Sequence, residues 1–159
     1  MADTLHLPKT QDRAALYAAL FPQLEAILSG ESDQIANFAN TAAALHEAFN
    51  FLWIGFYRVK EGELVLGPFQ GPIACTRIAF RRGVCGRAYQ DAATLIVPDV
   101  NAFPGHIACS SLSQSEIVVP IFDRSGAVVA VLDVDSEKLA DFSELDQKWL
   151  EKIAGLLLS

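Results

Sequence analysis

Cysteine is scarce in this chain. There are three in 159 residues, and Cys75, Cys85 and Cys109 all lie in one stretch of its middle. An odd count excludes a closed disulfide framework of the secreted kind, and a chain of this length folds without such staples. Positive charge is also thin: 12 Lys and Arg stand against 19 Asp and Glu, a formal net charge of −7. The basic cluster is the short group Arg81, Arg82 and Arg87. Most of this surface repels a phosphate backbone, so nucleic acid is not an expected partner. No apolar run approaches the ~20 residues that span a bilayer. The start, Met1 to Pro8, lacks the basic-then-apolar order of a secretory leader, so residence in the cytoplasm with reduced thiols is expected. Internal repeats, low-complexity tracts and linkers are missing too, and residues 1–159 read as a single domain. Three clustered thiols then leave metal ligation, redox chemistry or service as small buried hydrophobes.

What is present is patterned. Thr10 can cap a helix to about Leu28, with Leu16, Leu20, Leu24 and Ile27 at helical spacing. Ser32 can cap a second, in which Ile35, Phe38, Ala42, Leu45 and Phe49 recur at steps of three and four. From Phe51 the period becomes two. Residues 51–58 read as a strand, Glu61-Gly62 as a hairpin turn, and 63–69 as its partner. A third strand is expected from Cys75 to Phe80, a short helix over 83–90, a short strand over 94–97 and a Pro/Gly loop over 101–105. Residues 116–122 and 127–135 form a second hairpin around Asp123 to Gly126, and Ser143 with Asp146 makes a capping box for a last helix. This order predicts an α+β fold with a central, mainly antiparallel sheet and helices packed on it.

Strand alternation puts Val129, Val131, Asp133 and Asp135 on one face of the last strand. Two carboxylates continuing an apolar face are either a solvated strand end or desolvated groups at a pocket mouth. Neighbouring carboxyls there raise one another's pKa and can hold a proton near neutrality. Glu116 starts the preceding strand and joins them if the two strands pair as a hairpin. Trp53 and Tyr57 share a face of the first strand with Gly55 between them, a wall suited to a small apolar group. Cys109 follows His106-Ile107-Ala108 in a loop, where reactive groups are commonly presented and backbone N–H groups can grip an anion. Cys75 opens a strand, and Cys85, inside the short helix, reads best as a buried apolar filler. Cys75, Cys85, His106 and Cys109 lack the short paired spacing of structural zinc ligands, so no metal is expected.

Four segments carry a resemblance: NFLWIGFYRV, LGPFQGPIACTRIAFRRGVCGRAY, VPDVNAFPGHIACSSLSQSEIVVPI and VLDVDS. Together they resemble the free methionine-(R)-sulfoxide reductases, single-domain enzymes of GAF fold, over most of the chain. The resemblance implies reduction of free L-methionine (R)-S-oxide to L-methionine. It makes Cys109 the attacking thiol, Cys75 the resolving thiol and Cys85 an auxiliary one. Trp53 would wall the substrate methyl, Glu116, Asp133 and Asp135 would hold the substrate and polarise its S=O bond, and the backbone at Ile107 and Ala108 would take its carboxylate. It also implies an intramolecular disulfide, recycling by thioredoxin without a further cofactor, and a possible homodimer. The competing expectation is a regulatory GAF module that binds a small ligand or senses redox state.

Overall fold

Helical apolar spacing at both ends of the chain and strand alternation between them build two helices, a sheet and a closing helix. The computed structural model describes residues 4–107 and 110–157. Helices α1 (Arg13–Leu28) and α2 (Gln34–Phe49) are followed by β1 (Trp53–Lys60), β2 (Glu63–Gln70) and β3 (Arg77–Ile78). Then come α3 (Gly83–Asp91), β4 (Leu95–Val97), a 3-10 turn (Val100–Ala102), β5 (Ser115–Phe122), β6 (Val128–Ser136) and α4 (Glu144–Leu156). The strands form one six-stranded sheet in the order β3-β2-β1-β6-β5-β4, each described pair antiparallel.

Local chemistry moves several boundaries. Asp12 caps α1, its carboxylate accepting from Ala14 N, while Thr10 Oγ1 accepts from Asp12 N one step upstream. Likewise Asp33, and not Ser32, caps α2 by accepting from Ala36 N. In both cases a carboxylate, the stronger acceptor, stands directly before the helix. The Ser143–Asp146 capping box of α4 is present as expected. Glu61 and Gly62 both have positive φ, the type I′ geometry whose twist matches a two-residue hairpin.

The expected strand from Cys75 to Phe80 shrinks to Arg77–Ile78. Upstream, side chains draw backbone carbonyls out of the ladder: Trp53 Nε1 donates to Pro72 O (3.1 Å) and Tyr57 O–H to Cys75 O (2.9 Å). Downstream, Arg81 takes a left-handed conformation that turns the chain into α3.

The sheet has two covered faces. On one, α1, α2 and α4 bury Leu20, Leu24, Phe38 and Leu45 against Ile54, Phe56, Ile117 and Leu132. Phe38 stacks on Phe56 with ring centroids 4.2 Å apart. On the other, α3 lies across β5 and β6 and packs Val84, Cys85 and Ala88 against Trp53, Tyr57, Val118 and Val131. The second face is thinner, and polar groups enter it.

Candidate active site

Register decides what meets on that thinner face. In β5 and β6, Glu116 lies opposite Asp135 and Val118 opposite Asp133. In β1 and β6, Trp53 lies opposite Asp135 and Gly55 opposite Asp133. Direct antiparallel partners share a face, so Trp53, Glu116, Asp133 and Asp135 converge. The approximate hairpin juxtaposition of Glu116 with the aspartates is therefore a direct pairing with Asp135. Gly55 makes room for it. A Cβ there would stand 2.3 Å from Phe69 Cβ and 2.6 Å from Trp53 Cη2, so only glycine lets the indole lie against Phe69.

A pocket opens over these residues. Trp53, Tyr57, Cys85, Glu116, Asp133 and Asp135 form its floor and walls, while Ile73, Ala74, Arg82, His106, Ile107 and Ser113 surround them. Ile107 rests against Gly83 at the start of α3. Cys75 packs beside this cluster one residue beyond Ala74 and is disulfide-bonded. Ala108 and Cys109 lie outside the described residues.

Glu116 and Asp133 are buried, only 5% and 6% exposed. Among the described residues, no cation pairs with either of them or with Asp135. Burial first, and then the neighbouring aspartates, push the Glu116 pKa well above the ordinary carboxylate range. Burial and the charge of Asp135 do the same to Asp133. Burial raises Asp135 to about 6, opposed by a hydrogen bond donated by Ser113 Oγ. Glu116 and Asp133, both held well above the ordinary range beside Asp135, can keep a proton on this cluster near neutral pH. Asp133 Oδ1 is buried with no hydrogen-bond partner among the described residues, a place a ligand donor can fill.

Cys85 is buried as expected, but its surroundings are not those of a filler. Its Sγ lies 3.9 Å from Glu116 Oε1, and burial and the nearby acids raise its pKa well above the usual thiol value. Tyr57 also does more than wall the pocket, since its hydroxyl holds the backbone of Cys75. Ser113, Arg82 and Ala74 escaped sequence reading because each belongs to a loop or helix start with no periodic signal. His106, weighed as a ligand beside Cys109, lines the pocket with its Nδ1 buried and unpartnered among the described residues, and burial lowers its pKa.

Known proteins share this sequence and fold. A GAF-domain family model matches residues 32–158. GAF domain-containing protein A of Dictyostelium discoideum is 59% identical over 158 residues, 99% of each chain. The free methionine-R-sulfoxide reductase of Escherichia coli (strain K12) is 40% identical over 147 residues, 92% of this chain and 88% of its own. The X-ray structure of free methionine-R-sulfoxide reductase from Neisseria meningitidis, in complex with its substrate, superposes with a TM-score of 0.94 at 54% identity. That match covers 98% of this chain and 93% of the other. On identity, coverage and fold, the chain belongs to the GAF-domain family and, within it, to the free methionine-R-sulfoxide reductases.

Proposed function

We propose that this protein reduces free L-methionine (R)-S-oxide to L-methionine at the pocket between α3 and the sheet. The observation that carries the reading is the trio Glu116, Asp133 and Asp135, raised in pKa and facing Trp53 without a cation among the described residues. A sulfoxide oxygen leaves sulfur only when an acid protonates or hydrogen-bonds it, and the raised pKa values of Glu116 and Asp133 favour a carboxyl proton there. The same cluster, once partly ionised, attracts the ammonium of a free amino acid. The Trp53 indole offers an apolar face for the S-methyl group, and backbone at Ile107 and Ala108 takes the carboxylate.

Cys109 as thiolate attacks the sulfoxide sulfur. Oxygen passes to the Cys109 sulfur with one proton from the acid cluster, giving a sulfenic acid and methionine; the sulfoxide gains the two electrons that the thiolate loses. The Cys75 thiol then displaces water from the sulfenic acid and forms the Cys75–Cys109 disulfide. That Cys75 is disulfide-bonded while Cys85 is free supports this pairing. Exchange with the dithiol of thioredoxin reduces the disulfide and completes the cycle. Cys85, buried against Glu116, stays auxiliary. The chain acts as one domain over 1–159, in the cytoplasm, as a homodimer, without metal or organic cofactor.

The test is formation of methionine from free methionine (R)-sulfoxide with dithiothreitol and then with thioredoxin. Cys109→Ser should abolish it in a protein of unchanged circular dichroism. A regulatory module would bind a ligand or cycle its disulfide and form no methionine. Absence of methionine from the parent protein, or near-normal turnover by Cys109→Ser, would sink the corresponding part of the proposal.

A further inference from the structure

One thiol stands apart from the sulfoxide chemistry. Cys85 is a free, buried cysteine on α3, and the cycle above leaves it no bond to make. Ligand atoms of Cys85, Glu116 and Asp133 all lie within 4.8 Å of one another, and all three residues are buried. The Cys85 Sγ to Glu116 Oε1 distance is 3.9 Å. In a tetrahedral zinc site, bonds of about 2.3 Å to sulfur and about 2.0–2.2 Å to oxygen put those ligand atoms roughly 3.5 Å apart. Closing by a few tenths of an ångström is a side-chain adjustment. A second observation points the same way: Asp133 is 6% exposed, and its Oδ1 is buried with no partner among the described residues.

The geometry points to an inhibitory site for a thiophilic divalent cation, Zn²⁺ or its analogue Cd²⁺, held by the Cys85 thiolate and one carboxylate oxygen each from Glu116 and Asp133. Asp135 is hydrogen-bonded to Ser113, outside the set, and all three ligand residues line the pocket. The donors select the ion. One thiolate with two carboxylates suits a borderline-soft cation, whereas Mg²⁺ and Ca²⁺ call for oxygen ligands alone. Binding moves no electrons; it expels the Cys85 proton and any protons on the two carboxyls. The consequence for activity rests on the proposed function. An ion bound here occupies the two acids that would meet the sulfoxide, so cation and substrate exclude each other.

The double variant Cys75→Ser/Cys109→Ser keeps Cys85 as its sole thiol and reads metal binding without catalysis. Cd²⁺ added to it, free of thiol reductant, should give an ultraviolet thiolate-to-cadmium charge-transfer band that saturates at a single ion per chain. Adding Cys85→Ala to that background should abolish the band. Adding Asp133→Asn should weaken Cd²⁺ binding at least about tenfold by calorimetry, because losing even an outer partner of a metal site costs about 10–100-fold. Mg²⁺ should produce neither signal. No band in a double variant that is folded by circular dichroism overturns the site, as does binding indifferent to Asp133→Asn. In the parent enzyme Zn²⁺ should raise the apparent KM for methionine sulfoxide; Zn²⁺ bound to Cys85 with no effect on KM overturns the inhibitory role. Failure of the metal-free parent to form methionine would sink the proposed function instead, while the cadmium result stands.

Discussion

Asp133 carries opposed demands. Burial and the charge of Asp135 penalise its ionised form, which costs the fold stability, yet in the proposed reaction the same penalty keeps a proton available to a sulfoxide oxygen. Asp133→Asn removes the charge and the titratable proton with little change of shape. It should lower kcat by about 10²–10⁴-fold, the usual loss for a positioned acid. It should also raise Tm at pH 8, because one member of a buried like-charged cluster is gone. An Asp133→Asn variant as active as the parent, or less stable at that pH, would make Asp133 an ordinary strand-end residue. Tyr57 divides its role differently. Its hydroxyl holds Cys75 O at 2.9 Å, so in the proposed cycle it should position the resolving thiol. Tyr57→Phe should leave the first turnover near normal and slow steady-state turnover about three- to tenfold, the equivalent of one hydrogen bond of about 0.5–1.5 kcal/mol. Equal slowing of both phases in rapid-quench kinetics would contradict that division.

At the level of elements, the first and last helices are locked together by Asp146. It accepts from Tyr17 Oη (3.0 Å), Arg13 Nη1 (3.0 Å) and Ser143 N (2.9 Å), so a residue expected only to cap α4 also ties α4 to α1. Asp146→Ala leaves a buried tyrosine hydroxyl without its acceptor, while Arg13 keeps Asp141, and should cost about 1–3 kcal/mol in denaturant unfolding. Activity per folded molecule should not change, since the lock lies on the face opposite the pocket. The sheet shows how much elements reveal in advance. Strand period alone assigned Trp53, Tyr57, Glu116, Asp133 and Asp135 to faces, because successive side chains must alternate. The shortened β3 was not legible, since the carbonyls of Pro72 and Cys75 are taken by side chains standing 19 and 18 positions earlier. The helix caps were misplaced by one or two residues because Thr10, Asp12, Ser32 and Asp33 all have capping side chains, and sequence alone does not rank them.

For the whole molecule, an acid cluster inside a chain of net charge −7 makes stability depend on pH in a definite direction. The Asp135 pKa rises from its ordinary 3.8 to about 6 in the folded protein. Between those values the folded state holds more of this proton than the unfolded state, so its contribution to stability is full below pH 3.8 and is lost as pH rises through 6. Asp135→Asn should therefore flatten the fall of Tm between about pH 4 and 7. A parent-minus-variant Tm difference that stays constant across that range would show that Asp135 titrates normally.

The sequence by itself determined the α+β order, both hairpins, the capping box of α4 and the face on which each candidate strand residue sits. Those features follow from short-range sterics, from the periods of helix and strand, and from turn chemistry, all of which act within a few residues. Only the tertiary structure decided that α3 lies across β5 and β6, bringing Cys85 to Glu116 over a separation of 31 residues. It likewise decided that the acids are buried without a cation among the described residues and that Tyr57 holds Cys75. Desolvation and charge coupling depend on what covers a group, and that cover comes from elements distant in the chain.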